Sequence, residues 1–542
     1  MSALNVAFVW HMHQPYYRNQ LTGEYMLPWV LLHGTKDYLH MVQVLEDFPA
    51  IHQTFNLVPS LMQQLADYAS GEAVDECLRI SRTPVSELTG QDRRYVLQFF
   101  FSINYEKVIS RYPGYQAVYQ MREAALADPE RMPEQFWRDT IGWFNLAWID
   151  MATVRSDPVL RRLARQEHFS RGDIDLIRDK QLELLRAILP TYRRLRDRGQ
   201  IELSTSPYYH PILPLLVDNH RAAGEANPHV RLPFRQFRHP EDAVEQIRRA
   251  KVLHRELLGE APVGAWPSEG SVSQSVIYPL AQAGIRWIAT DEEILNRSQG
   301  FSLRHADGTP YDPAALYSAY EVEDSGYRLA VLFRDRSMAD LIGFKYQAWR
   351  PTDAVEDLLL RLHRIRQALG KHAPEHVVPL ILDGENCWEF YDNNGQDFLE
   401  GLYGELTADP DLRCVTVSEF LAEHPPARTL PHLASGSWIG GTFDVWIGEQ
   451  AQNVAWDFLT RTREDLVRWE TELEGADIGV LERAWDEIYV AEGSDWFWWY
   501  YSGNEPKLER GFDRQFRTHL ANVYKLMGSP IPAYLNEPIL RE

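Results

Sequence analysis

The feature that most limits the fold is a series of short apolar runs, each of which stops at a cluster of polar residues. Leu4 to Trp10 ends in His11-Met12-His13-Gln14-Pro15, and Ile51 to Val58 carries Asn56. Ile201-Glu202-Leu203-Ser204 leads to Tyr208-Tyr209-His210-Pro211. Ile285 to Thr290 ends in Asp291-Glu292-Glu293, Leu329 to Phe333 in Arg334-Asp335, and Val377 to Leu382 in Asp383-Gly384-Glu385-Asn386. Runs this short and apolar are strands buried on both faces, which belong to parallel sheets. Amphipathic stretches such as Pro240 to Leu258, closed by Gly259, and Asp353 to Leu369, closed by Gly370, separate them with proper helix ends. Strand–helix alternation of this kind predicts a parallel α/β barrel, whose chemistry sits where the strands end.

From about 61 to 198 the pattern is helical and rich in aromatics, among them Phe100, Phe101, Trp137, Trp143 and Trp148. It reads as a helical insertion between strands. Alternation stops near Pro425-Pro426. The expected division is therefore a catalytic domain over 1–427 and a mostly helical C-terminal domain over 428–542 that contributes to the active-site cleft. A chain of 542 residues exceeds what a single compact core usually covers.

Charge removes several classes of partner. With 77 acids against 55 bases, the formal charge of −22 repels nucleic acid and anionic membranes. No run reaches membrane-spanning length. The three cysteines, Cys77, Cys387 and Cys414, are too few and too scattered for a disulfide framework, and no basic leader precedes the first apolar run. The expected setting is cytoplasmic. The oligomeric state is not legible.

Two acids stand out. Glu269 lies in Trp266-Pro267-Ser268-Glu269-Gly270, a tight turn after a β-like run, and Asp383 closes another run before Gly384. Glycosyl chemistry with retention uses one carboxylate as nucleophile and a second, about 5 Å away, as acid and then base. Taken singly, each acid could equally be a loop cap or an ion-pair partner. His11 and His13, with Asp291, could form a metal centre of the polysaccharide deacetylase kind. They could also hydrogen-bond sugar hydroxyls in a metal-free site, which is the preferred reading, with no metal or cofactor expected. Seventeen Trp and 26 Tyr suit either a large core or sugar-stacking walls. In the block Trp496 to Tyr501 six successive rings cannot all face one way, so one or two of Trp496, Trp498 and Trp499 are assigned to a cleft. Ser268 lacks a G-x-S-x-G context, and no phosphate-binding glycine loop occurs.

Several stretches, in order, resemble glycoside hydrolase family 57, nearest its amylopullulanase type: His11-Met12-His13-Gln14-Pro15, Gly199-Gln200-Ile201-Glu202, Trp266-Pro267-Ser268-Glu269-Gly270 and Asp383-Gly384-Glu385-Asn386. Leu27 to Gly34, Thr54 to Ser60, Ser437-Trp438-Ile439-Gly440-Gly441 and Gly493 to Tyr500 fit it too. The resemblance implies an incomplete seven-stranded (β/α) barrel followed by a helical region. It further implies a retaining hydrolase of α-glucans, cleaving α-1,4 bonds, with α-1,6 bonds a further candidate. Glu269 matches the nucleophile and Asp383 the general acid/base. His13 falls at a glucosyl contact, and His11, Glu202, His210, Trp266, Trp388, Trp438 and Trp498 are carried over as substrate-binding positions. The substrate would be an α-glucan or maltooligosaccharide. A branching enzyme or 4-α-glucanotransferase is the alternative, since the same intermediate can be passed to water or to a sugar. A glycan-binding protein without turnover is a third reading. Two departures are the absence of further C-terminal modules and the less acidic loop Tyr501-Ser502-Gly503-Asn504-Glu505.

Overall fold

In the computed structural model, residues 3–306, 308–472, 477–504 and 509–540 are described. Glu505, at the end of the loop noted above, lies outside them. Ten strands occur among these residues: β1 Leu4–Met12, β2 Gln53–Leu57, β3 Ile201–Ser204, β4 Gly264–Ala265, β5 Trp287–Asp291, β6 Tyr320–Asp324, β7 Tyr327–Arg334, β8 Val377–Asp383, β9 Leu412–Cys414 and β10 Arg428–Thr429.

Parallel pairing runs β8–β1–β2–β3 in one sheet and β4–β5–β7 in a second. A parallel bridge between Thr205 and Ala265 joins β3 to β4. On the far side, the Asp335 N–H donates to the Pro379 carbonyl at 2.9 Å, the contact that carries β7 round to β8. Seven parallel strands thus form a ring that is laddered within each sheet, bridged once between β3 and β4 and joined by a hydrogen bond beside β7 and β8, an incomplete (β/α) barrel. β6 pairs antiparallel with β7 outside the ring and β10 pairs with β6, while β9 flanks the start of β1. β10 lies just past residue 427, and the long C-terminal helices begin at Gln450.

Register fixes the site. In the first sheet Asp383 pairs with His11, His11 with Asn56, and Asn56 with Ser204. In the second, Asp291 pairs with Arg334. One polar rim therefore runs round the C-terminal ends of the strands, where βα loops of a barrel carry function.

Between β2 and β3 the chain forms helices from Pro59–Ser70 to Arg171–Asp197, with an apolar core of their own. Phe100 stacks on Phe144 at 4.5 Å and Trp143 meets Phe169 edge-on at 4.9 Å. Most aromatics of this segment fill that core. The C-terminal helices Gln450–Glu472, Ile478–Ala491, Ser494–Trp499 and Glu509–Leu526 are fastened to the barrel at several points. Arg463 makes a buried two-pronged pair with Asp242 (2.5 and 2.7 Å), and the Ser494 N–H donates to the His210 carbonyl at 3.1 Å. The second contact delivers the Ser494–Trp499 helix to the polar rim.

Candidate active site

Glu269 sits in a one-turn helix, Ser268–Gly270, and its backbone is in the left-handed region (φ 58°). A non-glycine residue adopts that conformation at a cost of about 1 kcal/mol or more, so the surroundings must enforce it. Pro267 sets the entry, the Gly270 N–H closes on the Pro267 carbonyl (2.8 Å), and the Trp438 N–H grips the Glu269 carbonyl (3.0 Å). Gly270 is itself at positive φ, and a Cβ there would stand 2.8 Å from the Trp266 ring. The turn thereby aims the Glu269 carboxylate into the barrel mouth. Trp438 Nε1 donates to its Oε2 at 2.8 Å, and His210 Nδ1 lies 3.9 Å from Oε1.

Asp383 is the last residue of β8, and a Cβ on the Gly384 that follows would meet Met12 Sδ at 2.3 Å, so a larger residue would displace that side chain. Its carboxylate accepts from Asn386 Nδ2 at 3.2 Å. Glu269 and Asp383 line one cavity of about 1260 Å³, above the roughly 300–1,000 Å³ of ordinary small-molecule sites. Burial, then the Asp383 charge, push the Glu269 carboxyl up to about 8, against the Trp438 N–H that favours its ionised form. Burial also raises Asp383, held back by Asn386, His13 and Arg334.

Three histidine rings are layered beside this pair. His11 stacks on His210 at 5.1 Å and His210 on His13 at 3.8 Å. Burial and the neighbouring His13 depress His11 to about 3, and burial pushes His210 well below the usual histidine range, so both are neutral. His11 Nδ1 meets Asn56 Oδ1 at 2.7 Å and His210 Nδ1 meets Ser494 Oγ at 3.0 Å. His13 Nε2 lies 3.0 Å from Asp495 Oδ1, while its N–H donates to the buried Glu385 (3.1 Å). Buried polar atoms normally find partners, yet His13 Nδ1, His210 Nε2 and Glu385 Oε2 have none within the protein. A site with such atoms suits a ligand rich in hydroxyls.

Among the described residues His13, His210 and Asp495 form the group whose ligand atoms lie within 4.8 Å of one another. The ring geometry does not suit a metal. Planes only 22° apart with centroids 3.8 Å apart cannot direct two in-plane lone pairs to one ion about 2 Å from each nitrogen. Asp291, the third member of the metal reading, is elsewhere: fully buried, it pairs with Arg334 (3.2 Å) and with Arg336. Arg334 in turn lies over the Trp438 ring at 5.0 Å.

The other expected positions separate into two sets. Trp438 and Trp498 line the cavity, as do His11 and His13. His210 reaches the site through the stacked rings. Glu202 does not. It lies at the base of the barrel, accepting from Ser418 Oγ (2.6 Å), the Ser418 N–H (2.9 Å) and Trp287 Nε1 (2.9 Å). Trp388 is also misplaced by the sequence reading. It is fully buried against Trp10, and its N–H donates to the Gly384 carbonyl at 2.7 Å, bracing the loop that follows Asp383. Trp266, fully buried, packs against Trp438 at 5.3 Å as a backing ring. In the aromatic block Trp498 and Trp499 line the cavity, while Trp496 and Phe497 are core. Asp495, Glu385 and Arg334 were not anticipated. A hint for Asp495 was its place in Gly493-Ser494-Asp495-Trp496, directly before the aromatic block.

The family model of glycosyl hydrolase family 57 matches residues 7–432, most of the chain and both carboxylates. The chain belongs to that family. Among curated relatives of this family 57 member, Alpha-amylase 1 of Dictyoglomus thermophilum is 26% identical over 152 residues, 28% of this chain and 17% of that protein. A 4-alpha-glucanotransferase of Thermococcus litoralis is 24% identical over 280 residues, half of this chain and 34% of the relative. The match thus spans 34% or less of those relatives' length. A branching enzyme of Thermococcus kodakaraensis has a similar fold, with TM-score 0.62, 15% identity and coverage of 96% of this chain and 90% of that one. No helix among the described residues is long and apolar enough to cross a membrane.

Proposed function

We propose that this family 57 protein cleaves α-glucosidic bonds of α-glucans with retention, Glu269 acting as nucleophile and Asp383 as general acid/base. The observation that carries the reading is the pairing itself: two carboxyls from separate barrel strands face one cavity, each raised by burial and Glu269 also by the Asp383 charge. Interacting acids titrate as a pair. The singly protonated pair is the working form, and it has two tautomers. In the free site the proton is weighted towards Glu269. Reaction requires it on Asp383, from which it passes to the glycosidic oxygen as the bond breaks. The Trp438 N–H on Glu269 and the positive charge developing at the anomeric carbon both favour that tautomer. Asp383, then ionised, takes a proton from the incoming hydroxyl in the second half.

Neutral His11 and His210 fit a role in this scheme, since they add no positive charge to the cavity. His13, fixed by Asp495, offers a sugar hydroxyl a ring of defined orientation. The amylopullulanase type and the α-1,6 bond remain narrower readings, and the relatives' names divide between amylase, transferase and branching enzyme. The domain limits at 427–428 and the cytoplasmic setting likewise stand as proposals. The deciding experiment is product analysis on maltooligosaccharides, amylose and pullulan with wild type, Glu269→Gln and Asp383→Asn. Loss of at least about a thousandfold in turnover for both variants supports the roles; a change of only a few fold overturns them.

A further inference from the structure

The cavity has a second wall that the chemistry at Glu269 and Asp383 leaves unused. The helix Trp29–His33 passes directly into a wide π-turn, Gly34–Tyr38, in which all five residues are buried. Wide turns of this kind are rare and recur at functional sites. This one turns Lys36 and Asp37 inward together. Lys36 Nζ, wholly buried, donates to Asp37 Oδ1 at 2.8 Å, and Asp37 Oδ2 lies 2.6 Å from His33 Nδ1. Against the cost of burial, the Lys36 ammonium and His33 hold the Asp37 carboxyl below its ordinary range. An ionised carboxylate only accepts, so His33 donates from Nδ1 and Nε2 is the ring nitrogen left for a ligand. His33 lines the cavity, fixed between Trp29 at 6.0 Å and Trp148 at 5.4 Å.

Facing His33 is the loop that continues from Asp383. Burial raises the carboxyl of half-buried Glu389 against the pull of Lys36 and His33, and Phe390 follows it. Exposed large apolar side chains are scattered over the protein. Among the described residues, those that also line this cavity are Phe344 (69% exposed) and Phe390 (41%). Two bare rings at the rim of a polar cavity are costly in water and useful against the C–H faces of a sugar. Phe390 stands on the loop that follows Asp383, and the Tyr391 hydroxyl of that loop donates to the Ile342 carbonyl (2.6 Å) of the turn Leu341–Lys345, which carries Phe344. A general acid protonates the departing oxygen, so the leaving chain, and by reversal any incoming one, lies on the side of Asp383 and its loop.

We propose that His33, Glu389, Phe390 and Phe344 form an acceptor site for a second α-glucan chain, so that the glycosyl group leaves Glu269 for a sugar hydroxyl in preference to water. This rests on the retaining reading above. In the step, the acceptor hydroxyl oxygen bonds to the anomeric carbon. The ester bond to Glu269 breaks, its electron pair returns to the carboxylate, and the hydroxyl proton moves to Asp383. His33 Nε2 hydrogen-bonds a neighbouring hydroxyl and so orients the chain, while the two rings support its next units.

The test uses the full chain with a 4-nitrophenyl α-maltooligosaccharide donor and added maltooligosaccharide. Nitrophenol counts every glycosyl-enzyme formed, and chromatography gives the ratio of transferred to hydrolysed product. That ratio should rise and saturate with acceptor in the wild type. Phe390→Ala and Phe344→Ala, both at exposed positions, should each raise the half-saturating acceptor concentration about fivefold. His33→Ala should lower the saturating ratio about tenfold, with partial recovery in His33→Gln and, for the ring, in Phe390→Tyr. A ratio that ignores added acceptor, or one that the three alanine variants leave unchanged, overturns the proposal. Failure of the retaining reading looks different: nitrophenol release is absent, or is indifferent to Glu269→Gln, and the proposal falls with it.

Discussion

Replacing Trp438 by Phe removes one hydrogen bond, from Nε1 to Glu269 Oε2 at 2.8 Å, and keeps a ring under Arg334. The bond favours the ionised carboxylate over the neutral one, because charge-assisted bonds are about twice as strong as neutral ones, a difference of about 1–1.5 kcal/mol. Two effects of equal size follow. The last proton of the Glu269–Asp383 pair, lost at about 8 in the wild type, is held more tightly, so the basic limb of the kcat/KM profile moves up by about one pH unit. Within the plateau, the tautomer with Glu269 ionised and Asp383 protonated becomes about tenfold rarer, and the plateau falls by about that factor. The assay is kcat/KM on a soluble maltooligosaccharide from pH 4 to pH 10. A plateau loss with the basic limb unmoved or shifted down would refute the argument, since Trp438 would then act by packing alone.

Two further outcomes are expected. The raised Glu269 carboxyl binds its proton more tightly folded than unfolded, so stability is fully present below the ordinary carboxylate range and is lost as pH rises through about 8. Glu269→Gln should therefore raise Tm by about 1–3 °C at pH 8 and by less than about 1 °C at pH 4.5, read by differential scanning calorimetry; an equal shift at both would contradict the burial argument. Glu202→Ala strands the Ser418 and Trp287 donors at the barrel base and should cost about 2–3 kcal/mol in urea unfolding, with KM for glucan moved less than about twofold. A KM rise of tenfold with intact stability would restore Glu202 to the site.

The barrel was readable because its strands are buried on both faces, which turns them into apolar runs with abrupt polar ends. Glu269 and Asp383 were readable for the same reason, each being a lone acid where such a run stops. Strand position along the barrel was not readable. Glu202 and Asp383 are both strand acids, but Glu202 sits low in the barrel and Asp383 at its mouth. Asp291 looked like a ligand and proved to be the counter-ion of two arginines, a distinction that only packing makes. Trp266 and Trp388 lie near acids in sequence, yet serve as backing for Trp438 and for the Gly384 turn. Asp495 reaches His13 across 482 positions of chain, a meeting set by the helix docked on His210. The His33–Asp37 contact has ordinary i,i+4 helical spacing, and what the sequence did not show is that this pair is buried against the cavity.

Central to the account is a covalent bond between the sugar and Glu269. It is tested most directly by trapping the intermediate with a 5-fluoro-α-glucosyl fluoride on wild type and Asp383→Asn, followed by peptide mass spectrometry. The account predicts one fluoroglucosyl group on the peptide that contains Glu269, absent in Glu269→Gln. A label on Asp383 or Glu385, or bond cleavage with inverted anomeric configuration and no label, would contradict it.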